Sequence, residues 1–171
     1  MKIYTKGGDN GETSLPDGKR VPKYHPFIEI LGSMEEVASQ IGFLGSIKEL
    51  PKEEKKVLEN LVGRAMEIIS CLATSKKIDH HEYVMELEKF IDQYQQKLPP
   101  LKEFVLPTGS FVVCAFHVVR TNIRRIERNI LKANNELKIL PDWVKAWINR
   151  ISDFLFILSL YLREKEKGQT K

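Results

Sequence analysis

The run DWVKAWINRISDFLFILSLYL, residues 142–162, decides the fold class. Trp143, Val144, Trp147, Ile148, Ile151, Phe154, Leu155, Leu158 and Leu162 recur at the spacings of an α-helix and cover most of its girth. A helix that is apolar on nearly every side has to be enclosed by other helices. The spacing therefore predicts an all-α bundle in which this element is central and also reaches a subunit interface. Trp143 and Trp147, four residues apart, read as packing groups rather than a platform for bases.

Working back along the chain, four more helices follow from the same period. Residues Ser110 to about Lys132 carry Val112, Ala115, Val119, Ile123, Ile126 and Ile130 on one stripe. The Pro99-Pro100 pair stops the helix before it, which starts with Asp79 as N-cap and carries Val84, Leu87, Ile91, Tyr94 and Leu98. Pro51 opens another, with a wide stripe from Val57 to Leu72, and its Lys52–Lys56 charge cluster reads as a solvated start. The first helix runs from Phe27, with Ile30, Met34, Val37, Ile41 and Leu44 in register and small residues between them. Before it, Gly7, Gly8, Gly11, Gly18, Pro16, Pro22 and Pro26 exclude a long helix. The expected organisation is thus one domain over 1–171: an irregular glycine-rich arm (1–27), a five-helix bundle (28–165), and a fraying polar tail (166–171).

At 171 residues, 42% hydrophobic and 29% charged, the chain has the length and composition of one soluble domain. Its 27 basic and 23 acidic side chains leave a formal charge of +4, which suits a small anion as well as nucleic acid. Cys71 and Cys114, far apart in apolar stretches, read as buried reduced thiols. Neither a secretory leader nor an apolar run of roughly 18 residues is present, so the expected compartment is the cytoplasm, without a membrane.

Two segments carry chemistry. In the fourth helix Arg120, Arg124 and Arg128 stand four apart on a second stripe, with Glu127 beside them and His117 one turn earlier. Each like-charge pair costs a helix about 0.2–0.5 kcal/mol, so the stripe calls for anions, and the planar guanidinium fork suits phosphate oxygens. A salt-bridged or solvated face is the alternative. The arm YTKGGDNGETS, residues 4–14, sets three glycines among Thr5, Lys6, Thr13 and Ser14, so its backbone N–H groups could approach an anion. It lacks the Gly-Lys-Ser/Thr of a P-loop, and a simple flexible turn competes with a phosphate cradle.

The chain resembles the PduO-type ATP:cob(I)alamin adenosyltransferases. The resemblance lies in five stretches in the same order: YTKGGDNGETSL, GSMEEVASQIG, LPPLKEFVLPTGS, RTNIRRIER and WINRISDFLFIL. It implies a homotrimer with active sites between subunits, taking ATP with Mg²⁺ and cob(I)alamin as substrates. It also implies transfer of the 5′-deoxyadenosyl group to cobalt with release of inorganic triphosphate, and a reductase or acceptor enzyme as a possible partner. By resemblance, Thr5, Lys6, Gly7, Gly8, Thr13, Ser14 and Lys23 form the ATP-holding arm. Arg124, Arg125, Glu127, Arg128 and Asn149 meet the nucleotide, with Arg124 and Arg128 serving catalysis. Phe104 sits below the corrin to exclude the lower cobalt ligand, and Arg120 pairs with Glu35 across the interface; His117, from its place on the arginine side, is the candidate to line the corrinoid pocket, with a structural role as the alternative. The resemblance assigns no metal ligands. Glu35 stands where the family commonly has Asp, Thr108 where it has Gly, and Val119 and Ile126 where it has Ala.

A basic helical module that binds nucleic acid or nucleotide without catalysis is the competing reading; the resemblance implies no nucleic-acid partner. His80 and His81 point about 100° apart on a helix and read as surface groups, and His25 lacks a partner cluster.

Overall fold

The computed structural model describes residues 3–74, 79–101 and 103–169, so Met1, Lys2 and the last two residues of the tail lie outside the described residues. Five helices make up the body: α1 Pro26–Gly45, α2 Lys52–Thr74, α3 His81–Gln95, α4 Phe111–Leu137 and α5 Asp142–Gln169. α1 packs on α2 and α4, α4 on α5, and α5 on α3. The circuit is closed between α2 and α3 by polar side chains. Asn60 Nδ2 and Arg64 Nε donate to Glu86 at 2.9 and 3.4 Å, and the Tyr83 hydroxyl donates to Glu67.

The α5 helix is buried around most of its circumference, as its composition requires: Trp147, Ile151, Phe154, Leu155 and Leu158 have no exposed surface, Ser152 and Ser159 are buried with them, and Asp153 is exposed. Ser159 avoids an orphaned hydroxyl by donating to the Phe156 carbonyl at 2.6 Å. Among the described residues no helix is long and apolar enough to cross a membrane.

Helix starts follow local chemistry. Ser110 caps α4 by accepting from the Val113 N–H at 3.3 Å. His25 caps α1: its Nδ1 accepts from the Phe27 N–H at 3.2 Å, with Pro26 in the first turn. The α4 helix outruns the expected end near Lys132 and stops at Lys138, whose φ of 53° is left-handed. Asn134 Oδ1 then takes the Ile139 and Leu140 N–H groups, a side-chain stop that hydrophobic period alone does not reveal.

Several expectations are corrected. The arm contains a hairpin, β1 Glu12–Ser14 against β2 Arg20–Pro22, in antiparallel register with Thr13 opposite Val21. The N-cap position of α3 is His80, not Asp79, and it makes no side-chain cap bond. His80 is a packing group: its ring stacks on Tyr83 at 4.4 Å and meets the Trp143 edge-on at 5.8 Å, while His81 is exposed. Within the Lys52–Lys56 cluster, Glu54 is buried, and Tyr94 donates to it at 3.4 Å. The helix at the C-terminus continues through Gln169, supported by a Lys167–Glu164 pair at 2.5 Å and a Ser110 to Glu166 bond at 2.5 Å. Cys71 and Cys114 are free thiols but only half-buried.

Candidate functional site between a glycine-rich arm and an arginine helix

The arm is two tight turns feeding the hairpin. Asp9 N–H donates to the Lys6 carbonyl and Gly11 N–H to the Gly8 carbonyl, both at 3.2 Å. Lys6 sits at φ 62° and Gly11 at φ 80°, so the chain reverses twice within six residues. Lys23 N–H returns to the Gly11 carbonyl at 2.9 Å. Its ammonium lies over Gly8, where an added Cβ would come within 3.2 Å of Nζ and 3.3 Å of the Glu12 carbonyl. A side chain at this position would press on the Glu12 carbonyl and push the Lys23 ammonium aside. Lys6, Gly7, Gly8 and Lys23 are brought together. Thr13 and Ser14 stand in adjoining positions of β1, where alternation puts their side chains on opposite faces.

The arginine stripe divides. Arg124 Nη1 donates to Ser152 Oγ on α5 at 3.5 Å, and Ser152 Oγ donates to the Asn149 carbonyl at 3.0 Å. Arg128 Nη1 donates to the Arg124 carbonyl at 2.9 Å. Burial raises the Glu127 carboxyl above its ordinary value. Arg124 and Arg128 pull it down, and Asp153 pushes it up. Arg124, Glu127 and Arg128 therefore lie together where α4 meets Asn149, Ser152 and Asp153 of α5. Arg125 does not join them; it turns to α1 and pairs with Glu36 at 3.2 Å.

One turn back, Arg120 and His117 are tucked inward. Arg120 Nε has no hydrogen-bond partner, and its guanidinium carbon lies 5.6 Å from the Phe156 ring centre. Burial, then Arg124, lowers its pKa. His117 is 4% exposed and neither ring nitrogen has a partner. Its pKa is lowered by burial first, then by Arg120 and Arg163. Glu35 is exposed, and no bond within the chain joins it to Arg120 among the described residues.

Phe104 lies at the other end of α4, in the loop before it, and is fully exposed. Leu101, Leu106 and Phe111 around it are also exposed, and with Pro99, Pro100, Val105, Arg163 and Lys167 this loop borders a shallow 580 Å³ cavity. So much apolar surface in one place suits a large flat ligand better than water. A separate cavity of 790 Å³ is lined by none of the expected site residues; Leu15, Phe27, Ile68, Leu137 and Trp143 are among its walls.

Sequence reasoning passed over Arg20, Ser152 and Asp153. A serine and an aspartate in a mostly apolar run were the available signal for the last two. Among the described residues no group of three or more His, Cys, Asp or Glu could hold a metal by itself. Nor does a hydrogen bond or ion pair join Thr5–Ser14 to Arg124 or Arg128 within the chain.

Residues 3–162 match the family described as cobalamin adenosyltransferase. Corrinoid adenosyltransferase MMAB from Homo sapiens is 35% identical, over 99% of this chain and 72% of that protein. A corrinoid adenosyltransferase from Citrobacter freundii is 35% identical over 92% of this chain and 93% of its own. A solved structure of a variant PduO-type ATP:corrinoid adenosyltransferase from Lactobacillus reuteri, complexed with cobalamin and ATP, superposes with a TM-score of 0.88. It is 32% identical and covers 97% of this chain and 96% of that one.

Proposed function

The chain belongs to the cobalamin adenosyltransferase family, and from that premise we propose how its residues transfer the 5′-deoxyadenosyl group of ATP to the cobalt of cob(I)alamin. The reaction forms a Co–C5′ bond from the cobalt electron pair and breaks the C5′–O bond, whose electrons leave on inorganic triphosphate. Cobalt(I) is itself a strong nucleophile, so the protein needs neither an activated serine nor a general base. Its work is to align C5′ with cobalt and to stabilise charge on the departing phosphates.

The observation that carries this reading is the pair of exposed arginines where α4 meets α5. Arg124 and Arg128 each spend one N–H on the protein, leaving further donors of two exposed guanidinium groups for phosphate oxygens. Asn149 and Glu127 sit beside them to orient the nucleoside. Lys6, Gly7, Gly8, Thr5, Thr13, Ser14 and Lys23 close over the triphosphate from the arm. Because no hydrogen bond or ion pair joins the arm to Arg124 or Arg128 among the described residues, the arm of one subunit serves the arginine pair of the next in a homotrimer. The unpartnered Arg120 Nε and the exposed Glu35 supply a charge pair across that boundary. Arg125, held by Glu36, helps fix α4 against α1 and reaches the nucleotide only by leaving that partner.

Mg²⁺ usually binds through one or two carboxylates plus substrate phosphates and water. Glu127, with Asp153 close enough to perturb it, fits as that donor set, and the ion would add positive charge to the bound phosphates. Phe104 and its apolar neighbours receive the corrin, with Phe104 excluding the lower cobalt ligand and His117 behind the pocket wall. The setting is the cytoplasm, with a corrinoid reductase or an acceptor enzyme as partner.

The test pairs two inactive variants, Lys6→Ala in the arm and Arg128→Ala in the arginine pair. Mixed and reassembled, they should regain part of the adenosylation rate, because some sites combine one intact arm with one intact arginine pair. A mixture no more active than either variant would overturn the shared site.

A further inference from the structure

Arg20 makes the densest set of contacts in the arm, yet nothing in the sequence pattern singles it out. In the hairpin register Arg20 stands opposite Ser14, so its side chain lies on the face that also carries Glu12. From there Nη2 donates to the Gly7 carbonyl at 2.6 Å, thirteen residues back, and approaches Glu12 at 3.5 Å, while Nη1 donates to Ser14 Oγ at 3.4 Å. One guanidinium thus ties the first turn of the arm to its hairpin at three points.

The link to Gly7 determines where the next N–H points. The Gly7–Gly8 peptide is trans and planar, so fixing its carbonyl towards Arg20 sends the Gly8 N–H the opposite way. That N–H has no acceptor among the described residues, and the Lys23 ammonium lies over the same glycine. Without the tie the peptide is free to rotate, since Gly7 and Gly8 impose almost no backbone preference of their own. The Lys6 conformation at φ 62°, which most side chains avoid, also needs something to hold it.

We infer that Arg20 is a positioning residue for the nucleotide triphosphate: it does not touch the phosphates but holds the Gly8 N–H, beside the Lys23 ammonium, aimed at the anion. The inference rests on the adenosyl-transfer reading of the arm. An exposed Arg–Glu pair alone would be worth little. The bond to a main-chain carbonyl is what gives Arg20 leverage over the arm, because it fixes one peptide plane rather than one side chain.

The experiment compares wild type, Arg20→Ala and Arg20→Lys in two measurements. The first is steady-state adenosylation with ATP and reduced cobalamin. Arg20→Ala should raise the KM for ATP about tenfold, the worth of one charge-assisted hydrogen bond, leaving kcat and the corrinoid KM within about twofold. Arg20→Lys should fall between, because an ammonium can meet one of the three acceptors but not bridge them. The second is amide hydrogen exchange of residues 7–11 without ATP, which should speed up in Arg20→Ala. Unchanged exchange with a raised KM would mean direct phosphate contact and would overturn the positioning role, as would an unchanged KM. A wild-type protein indifferent to ATP would instead sink the adenosyl-transfer reading, and the exchange comparison would still decide whether Arg20 holds the arm.

Discussion

Replacing Arg124 by alanine should separate catalysis from stability, and the structure sets both magnitudes. On the stability side, Arg124 stands four residues from Arg120 and from Arg128, so its loss relieves two like-charge pairs. That is worth about 0.4–1 kcal/mol at 0.2–0.5 each. Against this stands one hydrogen bond to Ser152 at 3.5 Å, the outer limit of such bonds, contributing near the low end of about 0.5–1.5 kcal/mol. The two nearly cancel, so the unfolding free energy should change by less than about 0.5 kcal/mol, the usual bound for exposed substitutions. On the catalytic side, a preorganised donor at a developing negative charge is worth about 2.7–4 kcal/mol, or a hundred- to thousandfold in kcat. Thermal or denaturant melts give the first quantity; the visible spectrum of cobalamin during turnover with ATP gives the second. Arg124→Lys should fall between, keeping the charge without the planar fork. A wild-type kcat in Arg124→Ala would remove this arginine from the mechanism. A loss of activity accompanied by more than about 1 kcal/mol of destabilisation would make it a structural residue instead.

Phe104→Ala should leave the melting temperature unchanged, since the ring is fully exposed, while slowing conversion of cobalt(II) corrinoid; a drop in stability would show that the ring is packed in solution. His117 has a lowered pKa, so the unfolded chain binds more protons between that value and the ordinary 6.5. Its contribution to stability is therefore full above pH 6.5 and is lost as pH falls towards the folded value. His117→Phe, which strands no hydrogen bond, should flatten that acid limb in denaturant melts, and an identical pH slope would refute the assignment. Trp147→Ala, at a site with no exposed surface, should cost about 3–5 kcal/mol, whereas Trp147→Phe should cost much less because the indole N–H has no partner to lose. Equal costs for the two, read from urea midpoints, would mean the N–H is satisfied.

The helices were legible because burial writes itself into period: Trp143 to Leu162 is apolar around most of its girth and is buried there, with Asp153 left exposed. What the period does not carry is side-chain to main-chain chemistry. The α4 stop depends on Asn134, and the α1 start depends on a histidine ring, a less usual cap than Ser or Asp. The arm hairpin has strands of three residues, too short for alternation to register, although Pro16-Asp17-Gly18 is a turn signal in itself. In the site, spacing predicted the Arg120, Arg124 and Arg128 stripe, whereas Arg125 was grouped with the nucleotide residues only by resemblance. Neighbours on a helix diverge by about 100°, and Arg125 faces α1. Glu54 and His80 were misread for a related reason: a charged or polar residue at a helix end looks solvated until a partner helix, here bringing Tyr94 or Trp143, covers it.

The most direct measurement is the fate of the ATP phosphates. Phosphorus NMR of wild-type protein turning over ATP, Mg²⁺ and reduced cobalamin should show inorganic triphosphate accumulating one for one with adenosylcobalamin. ATP consumed to ADP and phosphate, or no cobalt–carbon product in the visible spectrum, would contradict a site built to hold triphosphate as the leaving group.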